Sequence, residues 1–180
     1  MSKSRMFLMT AKGIAEKVVE LLRPHCLRIE IAGSIRRECE IIGDIEIVII
    51  PKPYETGLFT SGLASVVNLW QKVKGELEYG KTKYTQRILP EEIVGVKGKT
   101  VTLDLFIAEV GNWGSILAIR TGSADYSHHV LAKGWTAKGY RSEGGFLKQG
   151  SKTYEVREEI DLFNRIGIRY CEPKNRKWPQ

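Results

Sequence analysis

Cysteine is scarce in this chain, and long apolar runs are missing. The 180 residues include three cysteines, Cys26, Cys39 and Cys171. Three is an odd number and no two form a CxxC pair, which argues against a disulfide framework or a cysteine-based zinc site. No apolar stretch approaches the roughly 20 residues of a membrane span, and residues 1–10 lack the features of a signal peptide. We therefore expect an intracellular protein, in the cytoplasm or nucleoid, with free thiols and no membrane partner.

Positive charge, in contrast, is abundant. The chain has 28 Lys and Arg residues against 21 Asp and Glu residues, a net charge of +7. Residues 120–180 contain 12 of the basic and 7 of the acidic residues, so the last third of the chain carries most of the surplus. A basic surplus of this kind suits a polyanionic partner such as a nucleic acid.

Apolar spacing predicts helices and strands in a mixed order. Helical spacing is found over 10–22, 61–73, 113–119 and 156–165. A further helix is predicted from Ser123, which can cap it, to about Lys133, with Gly134 ending it. Strand patterns cover 27–32, 44–50, 76–89 and 100–108, with a hairpin turn at 96–99. Mixed helices and strands with antiparallel neighbours predict an α+β fold, with a boundary near 120–123.

Three acidic residues interrupt strands that are otherwise apolar. Asp44 and Glu46 are two residues apart in the strand 44–50, so their carboxylates should project from the same face. Asp104 lies within the strand 100–108. Carboxylates on buried strands are costly unless a counter-charge compensates them, and oxygen ligands suit Mg²⁺ or Mn²⁺. Two such ions can activate an attacking oxygen and stabilise a leaving phosphate. The alternative is that each acid is solvated at a strand end or pairs with an arginine.

A phosphate-binding pattern precedes these acids. Gly33 and Ser34 follow a strand, where a turn into a helix would present backbone N–H groups and a hydroxyl to phosphate oxygens. Arg36 and Arg37 can add charge-assisted contacts. Gly-Ser, two arginines and then Gly43-Asp-x-Glu at this spacing form a much more specific signal than Gly-Ser alone.

One segment carries a specific family resemblance. Residues 32–48, AGSIRRECEIIGDIEIV, resemble the nucleotidyltransferase signature of family X DNA polymerases, the polymerase beta type. The similarity extends from about Ile14 to Arg176 through four further segments: 102–106 resembles the third-carboxylate strand, 113–114 with 121–123 the turn between palm and thumb, 131–134 the end of the thumb helix, and 170–176 the C-terminal tail. The resemblance implies a nucleotidyltransferase palm at 1–119, with a mixed or antiparallel sheet, followed by a small α+β thumb at 120–180.

The resemblance also implies an activity and its site. The chain would be a DNA-directed DNA polymerase that transfers nucleotides from a dNTP to a primer 3′-hydroxyl, filling short gaps in DNA repair. Asp44, Glu46 and Asp104 would be the catalytic residues and the ligands of two Mg²⁺ ions, for which Mn²⁺ can substitute, with Asp104 beside the 3′-hydroxyl. The incoming nucleotide would be bound by Gly33, Ser34, Arg37, Gly43, Thr121 and Gly122. The partners would be primer–template or gapped DNA and a dNTP, and the protein would be a monomer.

Three residues depart from the family pattern. The second metal ligand is usually Asp, and here it is Glu46. Because Mg²⁺ demands near-ideal octahedral geometry, the extra methylene predicts an altered metal preference. The two residues before Thr121 are usually aromatic, and here they are Ile119 and Arg120. Because that segment usually rejects a ribose 2′-hydroxyl, we expect weakened sugar discrimination.

DNA is expected to be bound by the palm and thumb alone, because the sequence has no room for an N-terminal lyase domain or helix-hairpin-helix fingers. Basic residues are candidates for contacts with DNA phosphates: Arg120, Lys133, Lys138, Arg141, Lys148 and Lys152. The alternative for each is a solvated surface side chain. Tyr126, Ser127 and His129 are candidates for checking the base pair, although the adjacent His128 and His129 are more simply interpreted as one packed and one solvated ring.

Two other functions stay open. A nucleotidyltransferase of the same chemistry could use RNA, a protein or a small molecule as its acceptor. A catalytically silent DNA- or nucleotide-binding module is the other alternative, and Glu46 and the absent clamp domains are its support.

Overall fold

The computed structural model describes residues 5–53, 62–78 and 82–179 of the chain. The elements up to residue 107 are β1 (Met6–Phe7), α1 (Leu8–Leu22), β2 (Cys26–Ile31), α2 (Gly33–Arg36), β3 (Ile41–Ile42), β4 (Ile45–Pro51), α3 (Leu63–Val67), β5 (Gln71–Lys74), β6 (Tyr84–Ile88), α4 (Glu91–Val94) and β7 (Thr102–Ile107). The later elements are α5 (Trp113–Thr121), α6 (Ala124–Tyr126), a π-helical segment (Ser127–Ala132), α7 (Lys133–Ala137), β8 (Arg141–Glu143), β9 (Phe146–Gln149), β10 (Lys152–Tyr154) and α8 (Glu159–Ile166).

Five strands form a mixed sheet in the order β2-β4-β7-β6-β5. β4 and β7 run parallel, and the other neighbouring pairs of this sheet are antiparallel. A parallel pair needs a long crossover connection, and α3, β5, β6 and α4 all lie in the connection between β4 and β7. Helices combined with a mixed sheet confirm the predicted α+β class.

This sheet separates two apolar clusters, because successive side chains of a strand point to opposite faces. Ile47 and Leu105 belong to the cluster that packs against Val18 of α1. Val48 and Phe106, one residue further along the same strands, belong to a second cluster that includes Leu117 of α5. Complete burial of one such side chain stabilises the fold by about 1.5–3 kcal/mol. The face beneath α5 is the one on which Glu46 and Asp104 also lie, since they alternate with the first cluster's residues.

A third apolar cluster lies in the C-terminal part of the chain. β8, β9 and β10 form a three-stranded antiparallel sheet. Leu147 from this sheet packs with Leu131 of the π-helical segment and Phe163 of α8. A capping box between Glu158 and Asp161 begins α8.

Several predicted elements have different bounds in the structure. Instead of one helix over 61–73, the structure has the shorter α3 followed by β5, because the backbone of 71–74 pairs with β6. Within the predicted strand 76–89, the structure assigns β6 to Tyr84–Ile88. The turn at 96–99 follows α4, so β6 and β7 are not joined by a hairpin turn alone. Ser61 and residues 79–81 lie outside the described residues.

The sequence predicted that Gly134 ends the helix that follows Ser123. This prediction is wrong, because α7 continues to Ala137. A Cβ atom at position 134 would lie 3.0 Å from Cδ1 of Ile166. The glycine therefore allows α7 to approach α8 closely rather than stopping α7. The cap itself is as expected, since the Ser123 side chain accepts a hydrogen bond from the Tyr126 backbone N–H at 3.1 Å.

Two further predictions concern the chain as a whole. The predicted boundary between residues 119 and 120 falls in the last turn of α5, and the division into two domains stays a prediction. In the part of the chain that the structure describes, no helix has the length and apolar character needed to cross a membrane.

Candidate active site

Two of the three predicted carboxylates lie side by side on the sheet. Glu46 of β4 is the register partner of Asp104 of β7, so both side chains project from the same face. Asp44 was predicted as the first residue of the strand 44–50, but it occupies the bend immediately before β4, which begins at Ile45. All three acids are half-buried. The parallel pairing of β4 and β7 therefore brings together residues that are 58 positions apart in the sequence.

The electrostatics of Glu46 show how closely negative charge is concentrated here. Burial, followed by the charges of Asp44 and Asp104, raises the pKa of Glu46 to about 7, although Arg37 and Arg120 oppose the rise. A carboxylate surrounded by like charge in a partly desolvated place binds protons or cations more readily.

Asp104 is held by donors from β6. Its Oδ1 accepts a hydrogen bond from the Tyr84 hydroxyl at 2.9 Å and another from Gln86 Nε2 at 2.6 Å. Gln86 is the register partner of Asp104, and Tyr84 is the register partner of Phe106. Burial, the hydrogen bond to Asp104 and the charge of Asp104 raise the pKa of Tyr84, so its hydroxyl stays a donor.

Aromatic stacking brings Arg120 to the same side of the sheet. The rings of Tyr84 and Phe106 stack with centroids 5.0 Å apart. The Arg120 guanidinium lies over Phe106, with Cζ 4.1 Å from the ring centroid. A cation over an aromatic face is stabilised by the ring quadrupole. Arg120 thereby lies close enough for its charge to oppose the rise in the pKa of both Glu46 and Tyr84.

Gly33 provides space for Glu46. Its φ is +61°, and a Cβ atom there would lie 1.8 Å from Glu46 Oε2. The backbone N–H of Ala32 donates to the Glu46 carbonyl at 2.8 Å, which fixes the start of α2 beside β4. Ser34 follows in the first turn of α2, where backbone N–H groups have no partner within the helix. The Gly-Ser motif is thus directly adjacent to a predicted metal ligand.

The two arginines of the motif have different partners. Arg36 Nη1 donates to Thr121 Oγ1 at 2.6 Å, and Arg37 Nη1 donates to the Thr121 carbonyl at 2.6 Å. Arg36 Nη2 also forms an ion pair with Glu159 at 2.7 Å. Arg36 is therefore used within the fold, whereas Arg37 has further N–H donors and its charge acts on Glu46.

Glu159 joins two arginines from distant parts of the chain. Arg176 Nη1 donates to Glu159 Oε1 at 2.7 Å, and Arg176 is fully buried. Burial alone raises the pKa of Glu159, but hydrogen bonds from Arg36 and Arg176 outweigh burial and hold that pKa below its ordinary value. Tyr170 adds a longer hydrogen bond of 3.4 Å from its hydroxyl. This arrangement links the motif near residue 36 to α8 and to the C-terminal tail.

The remaining predicted nucleotide-binding residues lie near α2 and α5. Gly43 is half-buried in the bend before Asp44. Thr121 and Gly122 are both buried. A Cβ atom at position 122 would lie 2.7 Å from Ser127 Oγ, so this glycine permits a tight turn. Whether these residues contact a nucleotide stays a prediction.

The residues suggested for base-pair checking differ in exposure. Tyr126 is fully buried, and Ser127 donates from Oγ to the Ile119 carbonyl at 2.8 Å. His128 is exposed, while His129 is half-buried and stacks on Trp178 with centroids 5.0 Å apart. One packed and one solvated histidine is the arrangement that the adjacent positions predicted.

The basic candidates for DNA contacts are spread over several elements. Lys133, Lys138, Arg141 and Lys152 are exposed, in or near α7, β8 and β10. Lys148 of β9 is half-buried and pairs with Glu143 at 2.8 Å. Their role in DNA binding stays a prediction.

Four residues that reasoning from the sequence missed are part of this region: Tyr84, Gln86, Glu159 and Arg176. The alternation of Tyr84, Gln86 and Ile88 would place the first two on one face, but it does not reveal which strand they would meet.

Among residues 5–53, 62–78 and 82–179, the structure contains no group of three or more His, Cys, Asp or Glu side chains that could hold a metal ion. No protein-family model matches the chain, and no curated protein was found to be similar to it.

Proposed function

We propose that this protein is a nucleotidyltransferase of the family X DNA polymerase type, which adds nucleotides to a primer 3′-end on gapped DNA, with residues 1–119 as its palm and 120–180 as its thumb. The observation that supports this proposal best is the placement of Glu46 opposite Asp104 on parallel strands, with Asp44 immediately before the first strand. Gly33 and Ser34 begin a helix beside these acids. Carboxylates next to a phosphate-binding turn are the parts that nucleotidyl transfer requires.

The donor chemistry at this place fits Mg²⁺ or Mn²⁺. The three acids offer oxygen ligands, and burial together with the charges of Asp44 and Asp104 raises the pKa of Glu46 to about 7, although Arg37 and Arg120 oppose the rise. Mg²⁺ is usually bound by one or two carboxylates together with waters and substrate phosphates, rather than by a complete cage of protein ligands. Asp44, Glu46 and Asp104 would hold the ions in this shared way. When bound, the ions would polarise the reacting phosphate and hydroxyl oxygens.

The chain's own residues would orient the substrates and accept a proton. The amides of Gly33 and Ser34, with the remaining N–H donors of Arg37, would bind the β- and γ-phosphates. The primer 3′-oxygen would attack the α-phosphorus, the bond from that phosphorus to the β-phosphate bridge would break, and pyrophosphate would leave. The proton of the 3′-hydroxyl would pass to the Asp104 carboxylate. Charged groups fixed in advance cost little reorganisation during the reaction.

The test is extension of a labelled primer on a one-nucleotide-gapped duplex, with Mg²⁺ and with Mn²⁺. We expect template-directed addition by the wild type and none above background by Asp104→Asn. Glu109→Gln is the matched control, because Glu109 is an exposed acid beyond the far end of β7 that pairs with Lys83. This control should retain activity.

The outcomes separate the three functions considered. A wild type that adds no nucleotide in either metal contradicts the polymerase proposal. If it then transfers nucleotides to RNA, a protein or a small molecule, the chemistry is right and the acceptor is wrong. If it binds DNA or nucleotide without any transfer, it is a binding module.

A further inference from the structure

Two side chains on β6 converge on one oxygen of Asp104. The Tyr84 hydroxyl and the Gln86 amide both donate to Oδ1, at 2.9 Å and 2.6 Å. A carboxylate oxygen has about two acceptor positions, and two donors that bind the same oxygen restrict rotation of the carboxylate. A hydrogen bond to an ionised acceptor is also stronger than one between neutral groups.

These two donors are themselves firmly placed. The Tyr84 ring stacks on Phe106 with an interplanar angle of 25°, and the Lys74 ammonium lies 5.8 Å from the centre of the same ring. Gln86 is directly opposite Asp104 in the antiparallel pairing of β6 with β7. The hydroxyl and the amide therefore reach Asp104 from a rigid sheet rather than from a loop.

The opposite face of β6 is anchored by buried polar side chains. Thr85 and Arg87 are 0% and 1% exposed. The single hydroxyl proton of Thr85 is shared between the carbonyls of Lys74 and Gly75, which lie 3.1 Å and 2.9 Å from Oγ1, and Arg87 Nη2 donates to Asn68 Oδ1 at 2.8 Å. A strand fixed on both faces cannot rotate to withdraw its donors from Asp104.

We propose that Tyr84 and Gln86 are positioning residues, which orient the Asp104 carboxylate toward the primer 3′-hydroxyl and the metal ions. The inference rests on the proposed function and concerns that same site. Neither residue needs to touch a substrate in this role. Groups that orient a metal ligand typically contribute 10–100-fold to metal affinity or activity.

The variants that test the proposal are Tyr84→Phe and Gln86→Leu. Tyr84→Phe keeps the ring on Phe106 and removes only the hydroxyl, so the packing is preserved. Tyr154→Phe is the matched control, since the Tyr154 hydroxyl makes a long hydrogen bond of 3.5 Å with Gln149. Thermal unfolding of each variant shows whether the fold survives the change.

Two readouts are needed, one of which does not depend on turnover. For gap filling, we expect each variant to lower kcat by about tenfold or more while the KM for dNTP stays within about twofold, because the loss concerns orientation rather than nucleotide binding. Mn²⁺ binding is measured by electron paramagnetic resonance with a dNTP analogue that has a non-hydrolysable α–β bridge. We expect binding to weaken by about tenfold in both variants and to be unchanged in Tyr154→Phe.

Each result decides the matter. Variants that match the wild type in kcat and in Mn²⁺ binding overturn the positioning role, as does a loss of activity that only follows a large loss of thermal stability. A wild type that binds no Mn²⁺ overturns it as well. If the wild type binds Mn²⁺ but extends no primer, the proposed function fails, and weaker Mn²⁺ binding by both variants still supports the positioning role.

Discussion

Replacing Glu159 with glutamine removes a buried carboxylate that holds two guanidinium groups. In the wild type, Glu159 pairs with Arg36 and with Arg176, each at 2.7 Å. Arg176 is 0% exposed and Glu159 is 6% exposed. A glutamine has nearly the same shape, but it carries no charge and replaces one of the two accepting oxygens with an NH₂ group, which cannot accept from a guanidinium. Glu159→Gln therefore leaves the half-buried Arg36 and the fully buried Arg176 with much less charge compensation.

The expected decrease in the free energy of unfolding follows from this burial. Removing one partner of a buried ion pair typically costs about 3–5 kcal/mol, because the remaining charge is left uncompensated. Folded domains have a total stability of about 5–15 kcal/mol. For a domain of this size, a loss of about 3 kcal/mol lowers the Tm by roughly 6–12 °C. Denaturant unfolding followed by circular dichroism measures this loss.

The pH dependence of stability gives an independent measure. The folded-state pKa of Glu159 lies below its ordinary value of 4.5. The contribution of the ion pairs is therefore complete above about pH 4.5 and is lost as the pH falls from there through the folded-state pKa. In Glu159→Gln the unfolding free energy should change less over this acidic range than in the wild type.

Glu143→Gln is the control for this experiment. Glu143 also pairs with a cation, Lys148, and its pKa is also lowered by that partner, but its side chain is exposed. Exposed ion pairs contribute little to stability, so this variant should unfold as the wild type does. If Glu159→Gln were equally harmless at neutral pH, the reasoning from burial and compensation would be refuted.

Two further predictions concern the site itself. Gly33→Ala should lower gap-filling activity by about tenfold or more, because its Cβ would displace the Glu46 carboxylate. Gly144→Ala has a similar φ of +59° with nothing within 4 Å, so it should retain activity, and equal activity of the two variants would contradict this account of Gly33. Since Ile119 and Arg120 stand where the family that the sequence resembles usually has two aromatic residues, the wild type should prefer dNTP over rNTP by roughly 100-fold or less in kcat/KM. This is the discrimination that a pocket without a dedicated steric barrier achieves. Strong rejection of ribonucleotides in a competition assay would show that another feature excludes the 2′-hydroxyl.

Much of the fold is predictable where the apolar pattern is local. The helix expected over 10–22 is α1, and the strands expected over 27–32, 44–50 and 100–108 are β2, β4 and β7, with ends that differ by one or two residues. The helix predicted over 61–73 was wrong in its second half, because pairing with β6 overrides an apolar pattern that also fits a helix. Pairing of strands is a long-range property, which a window of neighbouring residues does not contain.

The candidate site likewise combines features that local sequence predicts with features that depend on long-range pairing. Glu46 and Asp104 could be proposed from their places in apolar strands and from the family resemblance. The register that sets them side by side could not, because a shift of one residue would turn either side chain to the opposite face. Tyr84 and Gln86 were missed for this reason. Glu159 and Arg176 were missed because a buried ion pair between a helix and a tail has no local signature.

The two hydrogen bonds that Thr121 receives have a mechanical consequence. Arg36 donates to the Thr121 side chain and Arg37 donates to the Thr121 carbonyl. Two adjacent residues at the end of α2 therefore bind one residue at the end of α5. Any ligand that displaces the Thr121–Gly122 turn must either break two charge-assisted hydrogen bonds or pull α2 along with it. The α2 helix and the Thr121–Gly122 turn are thereby coupled, so that a displacement of one is transmitted to the other.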